Sequence, residues 1–174
     1  MIRFVELKTE EFDTVWAHME ESFPYDERRD KEDARAVLSN EFYHFYHIER
    51  DGERVGFIAV WSLGALFFVE HFAIYAAHRG EGIGSLALEL AKNSFRHLVL
   101  EVEAPESEQA RRRIAFYQRA GLHLHPDFAY VQPSYHGGEG VPLLLMSYPT
   151  PLSDPEAVAR ALYREVYRKP YPQS

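Results

Sequence analysis

The sequence contains no cysteine, which excludes disulfide bonds, thiolate metal ligands and cysteine nucleophiles. It also lacks any uncharged apolar run that approaches the roughly 18 residues expected of a membrane span. The N-terminal residues have neither the basic start nor the apolar middle of a secretory signal. These absences predict a cytoplasmic protein with no membrane association.

Basic residues are outnumbered: 19 Lys and Arg stand against 27 Asp and Glu, for a formal net charge of −8. A protein that binds the nucleic-acid backbone usually has a basic excess or a basic stripe, so no nucleic-acid partner is expected. Much of the acidic excess lies in residues 1–50. Such a surface either attracts a cationic partner weakly or serves only to keep the protein in solution.

The length of 174 residues is typical of one domain. Alternating and aromatic-rich segments predict strands at residues 2–7, 42–50, 54–61, 65–76, 98–102, 122–131 and 141–148. Helical spacing and capping residues predict four helices between these strands and a fifth that begins at Asp154-Pro155. This order predicts an α/β (α+β) fold: a mixed, twisted sheet of about seven strands with helices on both faces.

The last helix has its own apolar face, formed by Val158, Leu162 and Val166. We expect residues 151–174 to form a helical extension that packs on the domain made by residues 1–150.

The most informative segment runs from a strand through a glycine-rich turn into a helix. Gly80, Gly82 and Gly84 stand at alternate positions, so backbone N–H groups can converge there without side chains in the way. The following helix adds its unpaired N–H groups and the positive end of its dipole, and Arg79 can add a charged contact. The turn therefore suits an anion, and phosphate is the natural choice. A tight turn without a ligand is the structural alternative.

Two other phosphate sites are weaker matches. A Walker A loop ends in Gly-Lys-Ser/Thr, which Gly84-Ser85-Leu86 does not supply. A dinucleotide fingerprint remains an alternative, with Glu101 or Glu103 as the acid that would bind the ribose. That fingerprint normally opens a fold of several parallel strands, whereas here three other strands come before the strand that leads into the turn.

Residues 79–84, Arg-Gly-Glu-Gly-Ile-Gly, resemble the Arg/Gln-x-x-Gly-x-Gly/Ala acyl-CoA loop of the GCN5-related N-acetyltransferases (GNAT). Residues 115–117, Ala-Phe-Tyr, followed by Gly121-Leu122, resemble the second motif of that family, Phe-Tyr-x-x-x-Gly-Phe. The resemblance covers about residues 2–148. Within the family, the sequence resembles a bacterial branch. It implies a mostly antiparallel sheet, an N-acetyltransferase domain in residues 1–150, and no metal.

The implied reaction transfers an acetyl group from acetyl-CoA to a primary amine of a small molecule or peptide, by direct attack in a ternary complex. The pantetheine arm of the cofactor would pair with backbone between two splayed strands. The resemblance implies cofactor contacts from Phe72, Ala73, Ile74, Arg79, Gly80, Glu81, Gly82, Ile83, Gly84 and Ser85. A backbone N–H near Phe72 would stabilise the oxyanion. One departure is that Ala110 to Arg113 stand where many members have an asparagine that contacts the pantetheine arm.

Two catalytic residues are implied. Glu70 lies in an otherwise apolar strand, where desolvation would raise its pKa and suit it to act as the general base. A ligand for the substrate ammonium, or a structural hydrogen-bond acceptor, is the alternative role for Glu70. Tyr117 matches the tyrosine that protonates the departing thiolate, and otherwise it is an aromatic anchor. Because side chains alternate along a strand, His71 is expected on the face of the sheet opposite to Glu70, as a core histidine.

The acceptor is the least determined part of the site. Tyr25, Arg29 and Tyr135 lie on segments expected to flank the cleft and are predicted to bind the substrate. The histidine pairs at 44/47 and 123/125 do not form a three-ligand set, so no metal is expected. A non-catalytic acyl-CoA sensor or scaffold stays open as an alternative function, and so does a homodimer.

Overall fold

The computed structural model describes residues 1–173. The strands are β1 Ile2–Glu6, β2 Tyr43–Arg50, β3 Glu53–Leu63, β4 Leu66–Ile74, β5 Leu98–Val102, β6 His123–Gln132 and β7 Val141–Tyr148. The α-helices are α1 Phe12–Ser22, α2 Lys31–Val37, α3 Ile83–Phe95, α4 Glu108–Arg119 and α5 Pro155–Ala161. Helix α5 continues as a π-helical turn, Leu162–Tyr167.

All seven strands form one sheet in the order β1-β2-β3-β4-β5-β7-β6. Strands β4 and β5 pair in parallel, whereas the other neighbouring pairs are antiparallel. The predicted mixed, mostly antiparallel sheet of seven strands is therefore confirmed. A sheet with a single parallel pair differs from the mostly parallel sheet in which a dinucleotide-binding fingerprint normally occurs.

The sheet buries an apolar core on each face because its strand residues alternate between the two sides. One core packs α1 and α5 on the sheet, with Trp16 and Leu162 among its buried residues. The other core packs α3 and α4, with Ala87 and Ile114 buried. Helices thus cover both faces, as the sequence predicted.

The C-terminal helix begins as its sequence indicated. The Asp154 carboxylate accepts a hydrogen bond from the backbone N–H of Ala157 at 3.1 Å. Leu162 and Val166 are buried in the first core, and Val158 packs against it. Residues 155–167 therefore share a core with the sheet. Within residues 1–173, no helix combines the length and apolar character needed to cross a membrane.

Candidate active site

The central feature of the site is the place where β4 and β5 separate. The two strands pair from Phe67–Leu98 to Val69–Leu100, and no pairing between them follows in the described residues. Strand β4 nevertheless continues to Ile74, paired on its other side with β3. From residue 70 onward, the β5 side of β4 is thus an open backbone edge. Phe72, Ala73 and Ile74, the predicted pantetheine contacts, lie on this edge.

The glycine-rich turn lies at the end of that edge. Gly80 and Gly82 have φ angles of +82° and +77°, a left-handed conformation that favours glycine. Helix α3 begins directly after Gly82, so the N–H groups of Ile83, Gly84 and Ser85 have no partner within the helix. A Cβ atom built on Gly80 or Gly82 would meet no atom within 4 Å. This open cradle of free donors fits a phosphate group.

Two charged side chains brace the turn. The Arg79 Nε donates a hydrogen bond to the Ile74 carbonyl at 3.1 Å, which ties the turn to the end of β4. The Glu81 carboxylate pairs with Arg50 at 2.8 Å, and a second oxygen lies 3.7 Å from His78. The Arg50 guanidinium therefore offsets a negative charge that would otherwise oppose phosphate.

Helix α4 forms the other wall of the opening beside β4. A cleft of about 340 Å³ lies between them, lined by Phe72, Ile74, Gln109, Arg112, Arg113, Phe116 and Tyr117. Within residues 1–173 the Tyr117 hydroxyl makes no side-chain hydrogen bond. Burial raises the pKa of Tyr117 to about 12, although Arg113 opposes the rise. Tyr117 is therefore protonated at neutral pH and can donate a proton into the cleft.

A larger pocket of about 580 Å³ adjoins this cleft. Its walls are the segment after α1, the end of β5 with the loop that follows, and β7. Arg113 lines both cavities, and so the pocket and the cleft meet at this side chain. Arg113 belongs to the stretch that replaces the family's asparagine, and the sequence favours a solvated helix face for the arginines of this stretch, with contact to the cofactor phosphates as the alternative.

The Glu70 carboxylate is fully enclosed by donors. It accepts hydrogen bonds from Arg29 Nη1 at 2.7 Å, Trp61 Nε1 at 2.7 Å and the Tyr135 hydroxyl at 2.6 Å. Its side chain has no exposed surface. Burial by itself raises the pKa of Glu70, but the Arg29 guanidinium, His71 and these hydrogen bonds together outweigh burial, and the pKa lies below its usual value. The raised pKa expected from the sequence is therefore wrong.

A β-bulge shifts the alternation of β4 at this residue. Ala59 of β3 pairs with His71, and the next residue, Val60, pairs with Val69, so Glu70 is the extra residue. Both Glu70 and His71 consequently line the larger pocket, and the prediction that His71 faces the opposite side is wrong. Although the Glu70 side chain is completely buried, the residue as a whole is partly exposed, which means that its exposed atoms are main chain.

Glu101, on β5, is a second largely enclosed carboxylate, and it belongs to a residue that lines the larger pocket. Its oxygens accept hydrogen bonds from the Tyr130 hydroxyl at 2.5 Å, the Tyr167 hydroxyl at 2.7 Å and Gln132 Nε2 at 2.9 Å. These donors are all neutral. Burial raises the pKa of Glu101 to about 7, against the opposing effect of the three hydrogen bonds. Glu101 thus has the environment that the sequence suggested for Glu70.

The three predicted substrate-binding residues lie in different places. Tyr135 lines the larger pocket and holds Glu70. Arg29 lies behind Glu70 and lines a separate cavity of about 450 Å³ on the other side of this network. Tyr25 is half exposed and stacks on His136, with the ring centroids 3.7 Å apart. His136 follows Tyr135 in the loop between β6 and β7.

The histidines considered as metal ligands have other contacts. His125 Nε2 lies 2.9 Å from the Ser147 hydroxyl, and His47 Nε2 lies 2.7 Å from Arg54 Nη1. Among residues 1–173 there is no group of three or more His, Asp or Glu side chains arranged to hold a metal ion.

Comparison with known proteins places this geometry in a family. The sequence model of the Acetyltransferase (GNAT) family matches residues 4–122. A Bacteroides thetaiotaomicron structure assigned to GNAT acetyltransferases is 36% identical and has a TM-score of 0.87. The match covers 95% of this chain and 98% of that one. No functionally curated protein matches the sequence.

More distant structures share the fold. The ribosomal-protein-S18-alanine N-acetyltransferase of Escherichia coli is 17% identical with a TM-score of 0.63, covering 88% of this chain and 96% of that one. A chimera of the Vibrio cholerae spermidine N-acetyltransferase is 12% identical with a TM-score of 0.62, covering 84% and 93%. With the family match over most of the chain and a relative that is 36% identical, the protein belongs to the GNAT acetyltransferase family.

Proposed function

We propose that this protein is an acetyl-CoA-dependent N-acetyltransferase that acts on a primary amine in a ternary complex. The observation that carries the proposal is the open edge of β4 beyond Val69, which leads directly into the glycine-rich turn. An extended amide-containing arm can pair with a free strand edge as an added strand would. The turn at the end of the same edge supplies the donors for a diphosphate.

Residues 72–74 hold the pantetheine arm in this proposal, and residues 79–85 hold the diphosphate. The bulge at Glu70 exposes main-chain atoms next to the point where the strands part. A backbone N–H in this stretch, close to Phe72, is placed to stabilise the oxyanion that forms on the thioester carbonyl. Acetyl-CoA supplies the activated acetyl group, and the chain supplies position and proton transfer.

We assign proton removal to Glu101 instead of Glu70. A general base works best when its pKa lies near the working pH, and the pKa of Glu101 is about 7. The Arg29 ion pair keeps Glu70 ionised and holds its pKa below its usual value. Two carboxylates whose surroundings move their pKa values apart divide into a base and a structural anion.

Tyr117 is the proposed acid. The amine nitrogen attacks the carbonyl carbon, the C–N bond forms and the C–S bond breaks. Glu101 takes the proton that the ammonium loses, and Tyr117 gives its proton to the departing sulfur and regains one from the acetylated nitrogen through solvent. Overall, an ammonium becomes an amide, the thioester becomes a thiol, and one proton is released.

The test has two parts. Calorimetry with acetyl-CoA and with NAD separates the acyl-CoA site from the dinucleotide alternative. Thiol release from acetyl-CoA is then followed with polyamines, aminoglycosides, amino acids and peptide N-termini. Acetyl-CoA binding with thiol release supports the enzyme. Acetyl-CoA binding without release from any acceptor favours the sensor or scaffold alternative, and NAD binding in its place contradicts the proposal.

A further inference from the structure

Arg113 on helix α4 lies where the two cavities of the site meet. It lines both the cleft beside β4 and the larger pocket. Its neighbour Arg112, which lines the cleft alone, donates a hydrogen bond to Glu108 at 2.5 Å. Arg113 itself forms no ion pair and no side-chain hydrogen bond with any residue in the described range 1–173. Its guanidinium is therefore available to a ligand.

The position of Arg113 along α4 relates it to one end of the proposed cofactor path. Phe116 marks the end near the glycine-rich turn, because a Cβ atom on Gly84 would lie 3.6 Å from its ring. Arg113 lies three residues earlier, roughly 4.5 Å closer to the start of the helix. It shares the larger pocket with Glu70 and Glu101, beside the point where β4 and β5 part. This order puts Arg113 toward the thioester end of the path and away from the diphosphate end.

Arg113 and Tyr117 share one face of α4. Residues four apart on a helix are neighbours on its surface, and both of these line the cleft. Burial raises the pKa of Tyr117 to about 12, and the charge of Arg113 acts against that rise. Burial also raises the pKa of Glu27 in the larger pocket, and Arg113 acts against that rise as well. The positive charge of Arg113 is therefore felt both at the Tyr117 hydroxyl and in the larger pocket.

The departing sulfur needs such a charge. An aliphatic thiol has a pKa of roughly 8.5, well below that of Tyr117. Transfer of the Tyr117 proton to a free thiolate is therefore uphill, and negative charge develops on the sulfur while the C–S bond breaks. A fixed cation beside charge that develops in the transition state lowers the barrier, and it does so most where a bound molecule has displaced water.

We infer that Arg113 is a further catalytic residue, whose guanidinium stabilises the thiolate that leaves when the C–S bond breaks. This inference rests on the proposed acetyl transfer. The electron pair of the C–S bond passes to the sulfur, and Arg113 keeps all its protons throughout. Tyr117 then supplies the proton that converts the thiolate into the neutral thiol, and it regains one through solvent.

The other charges in the larger pocket have the opposite effect on a thiolate. Glu70 is already paired with Arg29. Burial lowers the pKa of His71 and raises that of Tyr135, so both are neutral near pH 7. The remaining ionisable groups on the pocket wall are carboxylates, which repel a thiolate and so raise the pKa of a thiol: Asp26, Glu27, Glu101, Glu103 and Glu106. A thiol pKa that rises when Arg113 is removed is thus the signature of its guanidinium.

The experiment measures the pKa of the thiol of CoA bound to the protein. The ultraviolet absorbance of the thiolate is titrated with pH, and the complex with desulfo-CoA, which lacks the sulfur, corrects for ionisation of the protein. We expect Arg113→Met to raise the pKa of the bound thiol by about one unit, which means about tenfold less thiolate at low pH. Arg113→Lys should raise it less, because lysine keeps the charge. Arg111→Met is the matched control, since Arg111 is an exposed arginine of α4 that bonds the Pro105 carbonyl and lines neither cavity.

Turnover gives a second readout. With an acceptor that supports thiol release, Arg113→Met should lower kcat by about ten- to a hundredfold and leave the affinity for acetyl-CoA within about twofold of the parent. An unchanged thiol pKa in Arg113→Met would overturn this role and leave the proposed acetyltransferase intact. Weaker acetyl-CoA binding with an unchanged thiol pKa would put the guanidinium at the cofactor phosphates, which also overturns it. A thiol pKa that depends on Arg113 in a protein that acetylates no amine would sustain the thiolate site and contradict the proposed enzyme.

Discussion

Glu70 and His71 are consecutive residues of β4, and yet both side chains lie on the same face of the sheet. The bulge at Glu70 produces this arrangement, because β3 has one residue fewer across from it. Glu70 reaches Trp61 Nε1 at 2.7 Å, and the His71 ring meets the edge of Phe23 with the ring centroids 4.6 Å apart. The bulge therefore turns both side chains to one face, Glu70 toward Trp61 of β3 and His71 toward Phe23 in the segment after α1.

We first predict a large loss of stability in Glu70→Gln. Glu70 joins Arg29, which precedes α2, to Tyr135, which lies between β6 and β7. Removing one charge of a buried pair leaves the other uncompensated, and this typically costs about 3–5 kcal/mol. Urea denaturation measures the loss. The double variant Glu70→Leu with Arg29→Met has no unpaired charge and should regain much of it; a single variant as stable as the parent would show that this ion pair does not anchor the pocket.

The second prediction separates the two carboxylates by rate. Glu101→Gln should lower kcat by roughly 10²–10⁴, as expected for a removed general base. The acidic limb of its pH–rate profile, with a midpoint near pH 7 in the parent, should disappear. Glu70→Gln should keep that limb, since the pKa of Glu70 is low. An acidic limb that vanished in Glu70→Gln and persisted in Glu101→Gln would restore the original assignment of the base to Glu70.

The third prediction concerns stability as a function of pH. The folded state binds a proton at Glu101 more tightly than the unfolded state, because the pKa rises from 4.5 to about 7. The stabilisation linked to this group is fully present below pH 4.5 and is lost as the pH rises to about 7. Glu101→Gln should therefore flatten the change in unfolding free energy across this window. Chemical denaturation at several pH values measures it, and an unchanged slope would mean that Glu101 is ionised throughout.

Fold class and element order could be predicted from the sequence because apolar periodicity, turns and caps are local signals. Strand β5 begins and ends where the pattern of residues 98–102 placed it, and Asp154 caps α5 as predicted. The glycine-rich turn could also be predicted. The left-handed φ angles at Gly80 and Gly82 favour glycine, and the glycines can be read directly from the sequence.

The carboxylate roles could not be predicted in the same way. Strand alternation assumes an unbroken ladder, and the bulge at Glu70 is a property of pairing with β3. The donors to Glu101 come from residues 29 to 66 positions away. Whether a buried carboxylate meets an arginine or only neutral hydroxyls decides its pKa, and this depends on contacts of such long range.

The fourth prediction concerns Tyr117. With a pKa of about 12, its hydroxyl stays protonated through the usual assay range, so we expect no alkaline limb below about pH 10. Tyr117→Phe keeps the ring that packs edge-on against Phe116 and removes only the proton donor. Because a thiolate leaves readily, the rate should fall by about ten- to a hundredfold at every pH, less than for the base. Tyr171→Phe, which changes a tyrosine near the C-terminus, is the control. An unchanged rate in Tyr117→Phe would leave this residue a packing role only.

The last prediction tests the cofactor turn by separating backbone strain from ligand binding. Gly82 and Gly64 both have left-handed φ angles, +77° and +67°, and a Cβ on either meets nothing within 4 Å. Alanine at either position should cost a similar amount, about 1–2 kcal/mol, because the strain is the same in kind. Only Gly82 precedes the free N–H groups of α3, whereas Gly64 lies in the turn between β3 and β4.

We therefore expect Gly82→Ala to weaken acetyl-CoA binding at least about tenfold, since the methyl group and the altered backbone disturb the donors that face the phosphates. Gly64→Ala should be destabilised to the same extent and bind acetyl-CoA as the parent does. Thermal unfolding and calorimetry on the two variants measure the two effects separately. Equal loss of affinity in both variants would trace the effect to global stability, and unchanged affinity in Gly82→Ala would move the diphosphate away from this turn.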